Sequence, residues 1–219
     1  MVQGIDWVGI VGAISGLSAF VALIVRDVRK PKLRISEGPY TQNWYFPGTT
    51  KVWRFVNFEV ITSKGRTASR CVAKVSILRH PSTMTIFRQE HAIHWADVPY
   101  SGRSTSAEPV DIWGAPQRLD VAFTTPNMNG QSMLATPIAL YSAWNYSTTV
   151  PQAVLLQGEY ILKVKVSCEN GKGDTKVIKL TSPQQWGNLE VEEMIVRSKL
   201  RRSGKRLYFE KAYLPKGRS

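Results

Sequence analysis

Three histidines, two cysteines and one run of closely spaced glutamates are the side chains in this 219-residue chain whose types and spacing bear on chemistry. His91 and His94 form an H-x-x-H with Glu90 and Asp97 close by. On a helix the two imidazoles would share a face and, with a carboxylate, hold a divalent metal. In an extended segment a spacing of three sends the rings to opposite faces, and the site dissolves. His80 stands apart from this pair. Cys71 and Cys168 have no C-x-x-C spacing, so they read as buried free thiols or, in an oxidising compartment, as one bridge between two strands. Glu190, Glu192 and Glu193 lie beside a cationic stretch and are expected to pair with it. Acid–base work by two carboxyls needs them to converge in a cleft, and the remaining acids are scattered.

The motifs that usually announce an enzyme are missing. The chain has no G-x-x-x-x-G-K-[ST], no dinucleotide fingerprint, no G-x-S-x-G and no H-E-x-x-H. No cofactor is expected, and the enzymatic reading narrows to a metal-dependent one through His91 and His94. A non-enzymatic binding or scaffolding role is the expectation.

Charge points elsewhere. The formal net charge is +13, and it is concentrated in two places. Arg26, Arg29, Lys30, Lys32 and Arg34 stand against Asp27, and Arg197, Lys199, Arg201, Arg202, Lys205, Arg206, Lys211, Lys216 and Arg218 stand against Glu210. The sequence between them is close to neutral. Basic clusters meet anionic lipid, at about 1 kcal/mol per cation near the surface, or nucleic acid. Leu200, Leu207, Tyr208, Phe209, Tyr213 and Leu214 are interleaved with the second cluster. That stretch reads as a solvated extension, as a segment lying on a membrane surface, or as a nucleic-acid contact using stacking and phosphate pairing.

The first cluster follows an apolar run, Trp7 to Val25, that contains no charge. As a helix it would extend roughly 28 Å, close to the ~30 Å hydrocarbon core of a bilayer. It would be apolar on every face, with Trp7 as an interfacial anchor and the cations closing the other end. A cleaved signal peptide fits less well, because Met1 to Asp6 carry no positive charge and no small-x-small site follows. A single-pass anchor is therefore expected, with the N-terminus outside and the domain in the cytoplasm, since Lys and Arg favour the cytoplasmic side. The sequon Asn145-Tyr146-Ser147 argues for the opposite sidedness and carries less weight. Gly12 and Gly16 form a G-x-x-x-G that would let two such helices approach, so a homodimer through the anchor is a hypothesis.

Beyond Pro31 the texture becomes short runs of Val, Ile, Tyr, Phe and Trp between Gly, Pro, Ser and Asn clusters. Strands are expected near Lys32–Ser36, Lys51–Ile61, Ser69–Leu78, Thr83–Arg88, Arg118–Thr124, Ile138–Ala143, Glu159–Cys168 and Thr175–Leu180. The run Tyr160 to Cys168 alternates well, sending Leu162, Val164, Val166 and Cys168 one way and Lys163, Lys165 and Ser167 the other. Asn170-Gly171, followed by Gly173, then supplies the positive-φ positions of a tight hairpin. Glu90 to Pro116 reads as a long excursion between strands. Antiparallel strands of this number must bury one face each, which two packed sheets achieve; a small barrel is the alternative.

Two stretches resemble known modules. Gly158-Glu159-Tyr160 ahead of alternating Leu162, Val164 and Val166 is similar to the closing strands of immunoglobulin-like and fibronectin-like sandwiches, where a Gly-x-Tyr opens a late strand. Gly65 to Val75 resembles the Asn-x-Gly-x-x-Ala stretch of adhesion-type immunoglobulin-like modules in archaeal and bacterial surface proteins, although Asn57 lies further from Gly65 than that pattern has it. The resemblance implies a fold class and no activity. The organisation expected is a leader at 1–6, a membrane helix at 7–25, a basic linker at 26–34, a β-sandwich at 35–190 and a basic tail at 191–219. Its partners are expected to be the membrane, anionic headgroups and a protein of unknown identity.

Overall fold

The computed structural model describes residues 20–21, 30–45, 52–63, 65–79, 90–96, 108–125, 132–137, 139–140, 153–183, 189–203 and 206–215. Trp7, Gly12, Gly16, Val25, Arg26, Arg29 and the Asn145 sequon lie outside them, as does the strand expected at Thr83–Arg88. Phe20 and Val21, within the apolar run, are helical and exposed. Among the described residues no helix is long and apolar enough to cross a membrane.

The chain is mainly β. One antiparallel sheet runs in the order β1 (Leu33–Tyr45), β2 (Val52–Thr62), β6 (Gln117–Thr124), β7 (Ser132–Leu134), β8 (Val154–Leu155). The other runs β12 (Arg206–Pro215), β11 (Glu190–Ser203), β10 (Asp174–Ser182), β9 (Gly158–Ser167), β3 (Ala68–Arg79), β4 (His91–Ala92), and β5 (Val110–Ile112) also pairs β3. Both contribute to one core, an arrangement consistent with a β-sandwich.

Alternation explains which sheet face is buried. In β9, Tyr160, Leu162, Val164 and Val166 are buried, while Lys163 and Lys165 fall on the other side. In β2, Trp53, Val56, Phe58 and Val60 go inward. The alternation breaks after Val56, where the β2–β6 register shifts between Val56 and Asn57. Trp53 stacks on Phe123 with ring centroids 5.6 Å apart, and Phe55, opposite Phe123 in the register, stacks on it at the same distance. Such pairs contribute beyond area alone. A smaller apolar cluster, Ile161, Val177 and Met194 with Leu78, occupies the outer face of the second sheet. The Tyr160 hydroxyl donates back to the Leu156 carbonyl at 2.9 Å, tying the start of β9 to the corner before it.

Three stretches depart from the pattern expected of them. β1 is much longer than Lys32–Ser36, because it continues across a cis Gly38–Pro39 peptide with two register shifts against β2. Gly38 adopts a φ of 100°, and a Cβ there would sit 2.9 Å from the Asn57 carbonyl oxygen, so only glycine fits. Ile138–Ala143 is not a strand where it is described: Pro137, Ala139 and Leu140 are helical. The Thr136 hydroxyl accepts from the Ala139 amide and the Thr136 carbonyl from the Leu140 amide, so Thr136 caps a turn that Pro137 opens. Finally, most of the stretch expected as a tail is paired: β11 joins β10 from Glu190 to Met194, then pairs with β12 from Met194↔Pro215 to Ser203↔Arg206.

Candidate functional site

The end of the sandwich at the β9–β10 turn gathers the most features in one place. There the chain leading into β1 is pinned: the Lys172 amide donates to the Pro31 carbonyl at 2.8 Å, the Leu33 amide to the Lys172 carbonyl at 2.8 Å, and the Ser63 amide to the Lys32 carbonyl at 3.0 Å. Gly171 is required, since a Cβ on it would lie 2.2 Å from the Pro31 oxygen. The Asp174 carboxylate accepts the Ile35 amide at 2.8 Å, closing the same corner. Lys32, Arg34 and Lys172 are exposed around it, with Lys30 and Arg66 half-buried.

The β11–β12 ribbon runs towards the same end. β9 ends there, β10 leaves from there, and β11, antiparallel to β10, returns. Carried on from Val177↔Met194, the register sets Arg197 level with Asp174, the first residue of β10. The same register brings Leu200 level with Gly171 in the turn, and Arg201 to Ser203 continue past it, about 10 Å at ~3.3 Å per residue. Residues two apart in a strand share a face. Arg197, Lys199 and Arg201 therefore fall on one face with their cross-strand partners Ala212, Glu210 and Tyr208, joined by Ser203 and Arg206. Val196, Leu200 and Arg202 fall on the other with Tyr213, Phe209 and Leu207. Lys205 lies outside the described residues.

The histidines separate. The segment 91–96 is extended, and it passes from one sheet to the other: His91 is opposite Val75 in β3, the Ile93 amide donates to the Ala73 carbonyl, the His94 amide donates to the Ala135 carbonyl, and Trp95 bridges to Leu119. The helix that would have put both rings on one face does not form in 91–96. His94 Nδ1 lies 4.0 Å from the buried Asp120 carboxylate, a neighbour that nothing in the H-x-x-H spacing signals. Burial lowers the pKa of His91 from its ordinary value. Asp97 lies outside the described residues, and among those described no three His, Cys, Asp or Glu side chains come together.

The glutamates line a groove of about 690 Å³ between β1 and β11, with Pro39, Thr41, Lys179, Thr181 and Leu189. Glu193 pairs with Lys176 at 3.3 Å and Glu159 with Lys179 at 2.5 Å. The hydrogen bond that Lys179 donates to the Glu159 carboxylate raises the pKa of Lys179, with Glu192 and Glu190 adding to it. Glu193 thus meets a lysine of β10, and Glu190 and Glu192 lie near another; the side chains of the cations that follow them in sequence lie outside those described. The groove is an open polar cleft in which Glu193 and Lys179 are each ion-paired.

The two cysteines come together, Cys71 on β3 and Cys168 directly after the end of β9. Sequence reasoning had both on strands but could not pair β3 with β9. It also missed Arg66 and Lys172 at the turn end, because their proximity to Lys32 arises from long-range pairing; the Asn170-Gly171 turn was the one local signal. Compared with known proteins, the chain matches no protein-family model, no curated protein and no solved structure.

Proposed function

We propose that this chain is a single-pass membrane protein whose β domain is a non-enzymatic binding or scaffolding module, held so that its cationic segments meet anionic lipid headgroups. The observation carrying this reading is the convergence at the β9–β10 turn end. The residues that follow the apolar run and the cationic ribbon are far apart in sequence, yet both belong to that end. A helix over Trp7 to Val25 would enter the domain beside Lys32, Arg34 and Lys172, facing a bilayer towards which Arg197, Lys199, Arg201 and Arg206 also extend.

The immunoglobulin-like form of the sandwich is part of the proposal. The orders β1-β2-β6 and β3-β9-β10 match the A-B-E and C-F-G orders of that fold, and the Tyr160 hydroxyl bond to Leu156 has the form of a tyrosine corner. Sidedness follows the charges, with the domain cytoplasmic, and Gly12 and Gly16 would bring two anchors together. The open β11–β12 ribbon also suits the major groove of DNA, which admits a two-stranded ribbon, and this is the second reading.

The test is hydrogen exchange on the full chain in nanodiscs of neutral or phosphatidylserine-containing lipid. Amides of 197–203 are expected to exchange more slowly in the anionic discs and to lose that protection in high salt. Equal exchange in the two lipids, or release of the chain from cell membranes by alkaline carbonate, overturns the reading. Protection by duplex DNA and not by lipid favours the second.

A further inference from the structure

The chain's two cysteines lie together, Cys71 within the core cluster and Cys168 packed against it. β3 and β9 are neighbours, and their register runs through Ala73↔Val166 and Val72↔Ser167. The next step sets Cys71 opposite Cys168. Beyond the cysteines Arg70, at a φ of 49°, is the extra residue of a bulge: the Glu169 amide donates to the Ser69 carbonyl at 3.1 Å and Arg70 Nε pairs with Glu169 Oε1 at 2.7 Å, so the strands stay together with the register moved on by one. Directly opposed residues of an antiparallel pair share a face and have Cα atoms about 4.5 or 5.5 Å apart. Both separations fall within the roughly 4.4–6.8 Å over which a disulfide closes without backbone movement. The two thiols already interact with each other.

We propose that Cys71 and Cys168 form a reversible cross-strand disulfide site, reached from solvent through Cys168 and oxidised by small disulfides of the glutathione type. Cys71 is buried and Cys168 is half-buried, so the second is the point of attack. The Cys168 thiolate attacks one sulfur of the small disulfide, forming a mixed disulfide and releasing one small thiolate. Cys71, losing its proton to solvent, then attacks the Cys168 sulfur and displaces the second small thiolate. Two protein thiols have lost two electrons and two protons, and one small disulfide has become two small thiols. Excess reduced thiol runs the sequence backwards.

Environment sets the pace of this exchange. Burial pushes the Cys71 thiol up to about 12, with the neighbouring Cys168 adding to it. Burial also raises Cys168, opposed by a backbone hydrogen bond from Gly171. Only thiolates attack, so bridge formation is slow near neutrality and accelerates as pH rises. Slow, reversible oxidation suits a sensing or locking site in a compartment that normally keeps thiols reduced. The bond would tie β3 to β9 at the corner where Lys172 holds Pro31, fixing the end through which the chain enters the domain.

The experiment uses the full chain in detergent, incubated without denaturant in glutathione disulfide, then alkylated and digested with trypsin. Cutting after Arg70, Lys74, Lys165 and Lys172 leaves Cys71–Lys74 linked to Val166–Lys172 as a single species, which dithiothreitol separates. Both of the chain's thiols should disappear together, with the loss of two hydrogens in mass. In Cys71→Ser the mixed disulfide on Cys168 should persist, because nothing resolves it. Recovery of two alkylated thiols, a stable adduct on the unsubstituted chain, bridges only between chains, or no adduct on Cys71→Ser would each overturn the proposal.

Discussion

β9 and β11 run to the same end of the molecule, and they are held by different means. β9 lies between β3 and β10, with Tyr160, Leu162, Val164 and Val166 buried along one face. β11 has β10 beside it only from Glu190 to Met194; further on it pairs with β12 alone. The first is fixed by burial within the chain. The second is a two-stranded ribbon, a structure of marginal stability in water when nothing packs against it. Under the proposed function an anionic bilayer would complete the ribbon, offering opposite charge to Arg197, Lys199, Arg201 and Arg206 and an apolar boundary.

The contrast breaks most readily at β9. Leu162 lies opposite Ile178 on one side and Ile77 on the other. Leu162→Ala should cost about 2–5 kcal/mol, read as a drop in the urea midpoint with an unchanged slope. A loss below ~1 kcal/mol would mean that the two sheets do not share the core described.

The ribbon should respond in the opposite sense. Replacing Arg197, Lys199, Arg201 and Arg206 together by Gln should leave the urea midpoint of the domain nearly unchanged. It should remove the slowed exchange of 197–203 in anionic nanodiscs, since each cation near such a surface contributes about 1 kcal/mol. If the substitutions unfold the domain instead, the ribbon belongs to the core and the comparison fails.

How much of this could be read in the sequence depended on local alternation. β9 follows a period-2 pattern and β2 one with a slip, and Asn170-Gly171 marks the turn after β9; that turn runs from Cys168 to Gly173, and its glycines are there for close backbone approach, since neither takes the positive φ expected of a tight hairpin. β11 and β12 were hidden because closely spaced cations resemble a solvated tail; what orders them is pairing, which hydropathy does not register. The helical turn at Thr136-Pro137 was legible in principle as a cap followed by a first-turn proline, and the apolar run Ile138 to Leu140 masked it. The corner where Pro31 meets Lys172 was not legible at all, because residues that far apart meet only once both sheets exist. The same holds for Asp120 beside His94; for Cys71 and Cys168 a bridge between strands was one open reading, but which strands adjoin was not legible.

A smaller effect sharpens the account of β9. Tyr160→Phe keeps the buried ring and removes only the hydroxyl bond to the Leu156 carbonyl. The expected loss is about 1 kcal/mol in the urea midpoint, with the lipid-dependent exchange of the ribbon unaffected. A change in that exchange would show that the corner and the ribbon are coupled, contrary to the separation drawn above.

The smallest effect concerns the segment that joins the sheets. His91 is half-buried opposite Val75, next to the Lys74–Glu90 ion pair, and its Nε2 has no hydrogen-bond partner among the described residues. Burial holds its pKa below the ordinary 6.5. Between the lowered value and 6.5 the unfolded chain binds this proton more readily than the folded one, so stability increases with pH across that interval. The penalty is absent above 6.5 and complete once pH falls below the folded-state value. His91→Asn should therefore flatten the fall in thermal midpoint on acidification from about pH 7 to about pH 5. Because every other group is common to both proteins, the difference between the two curves isolates His91. Parallel curves would show that the imidazole is solvated, and that 91–96 opens from the sheets under native conditions.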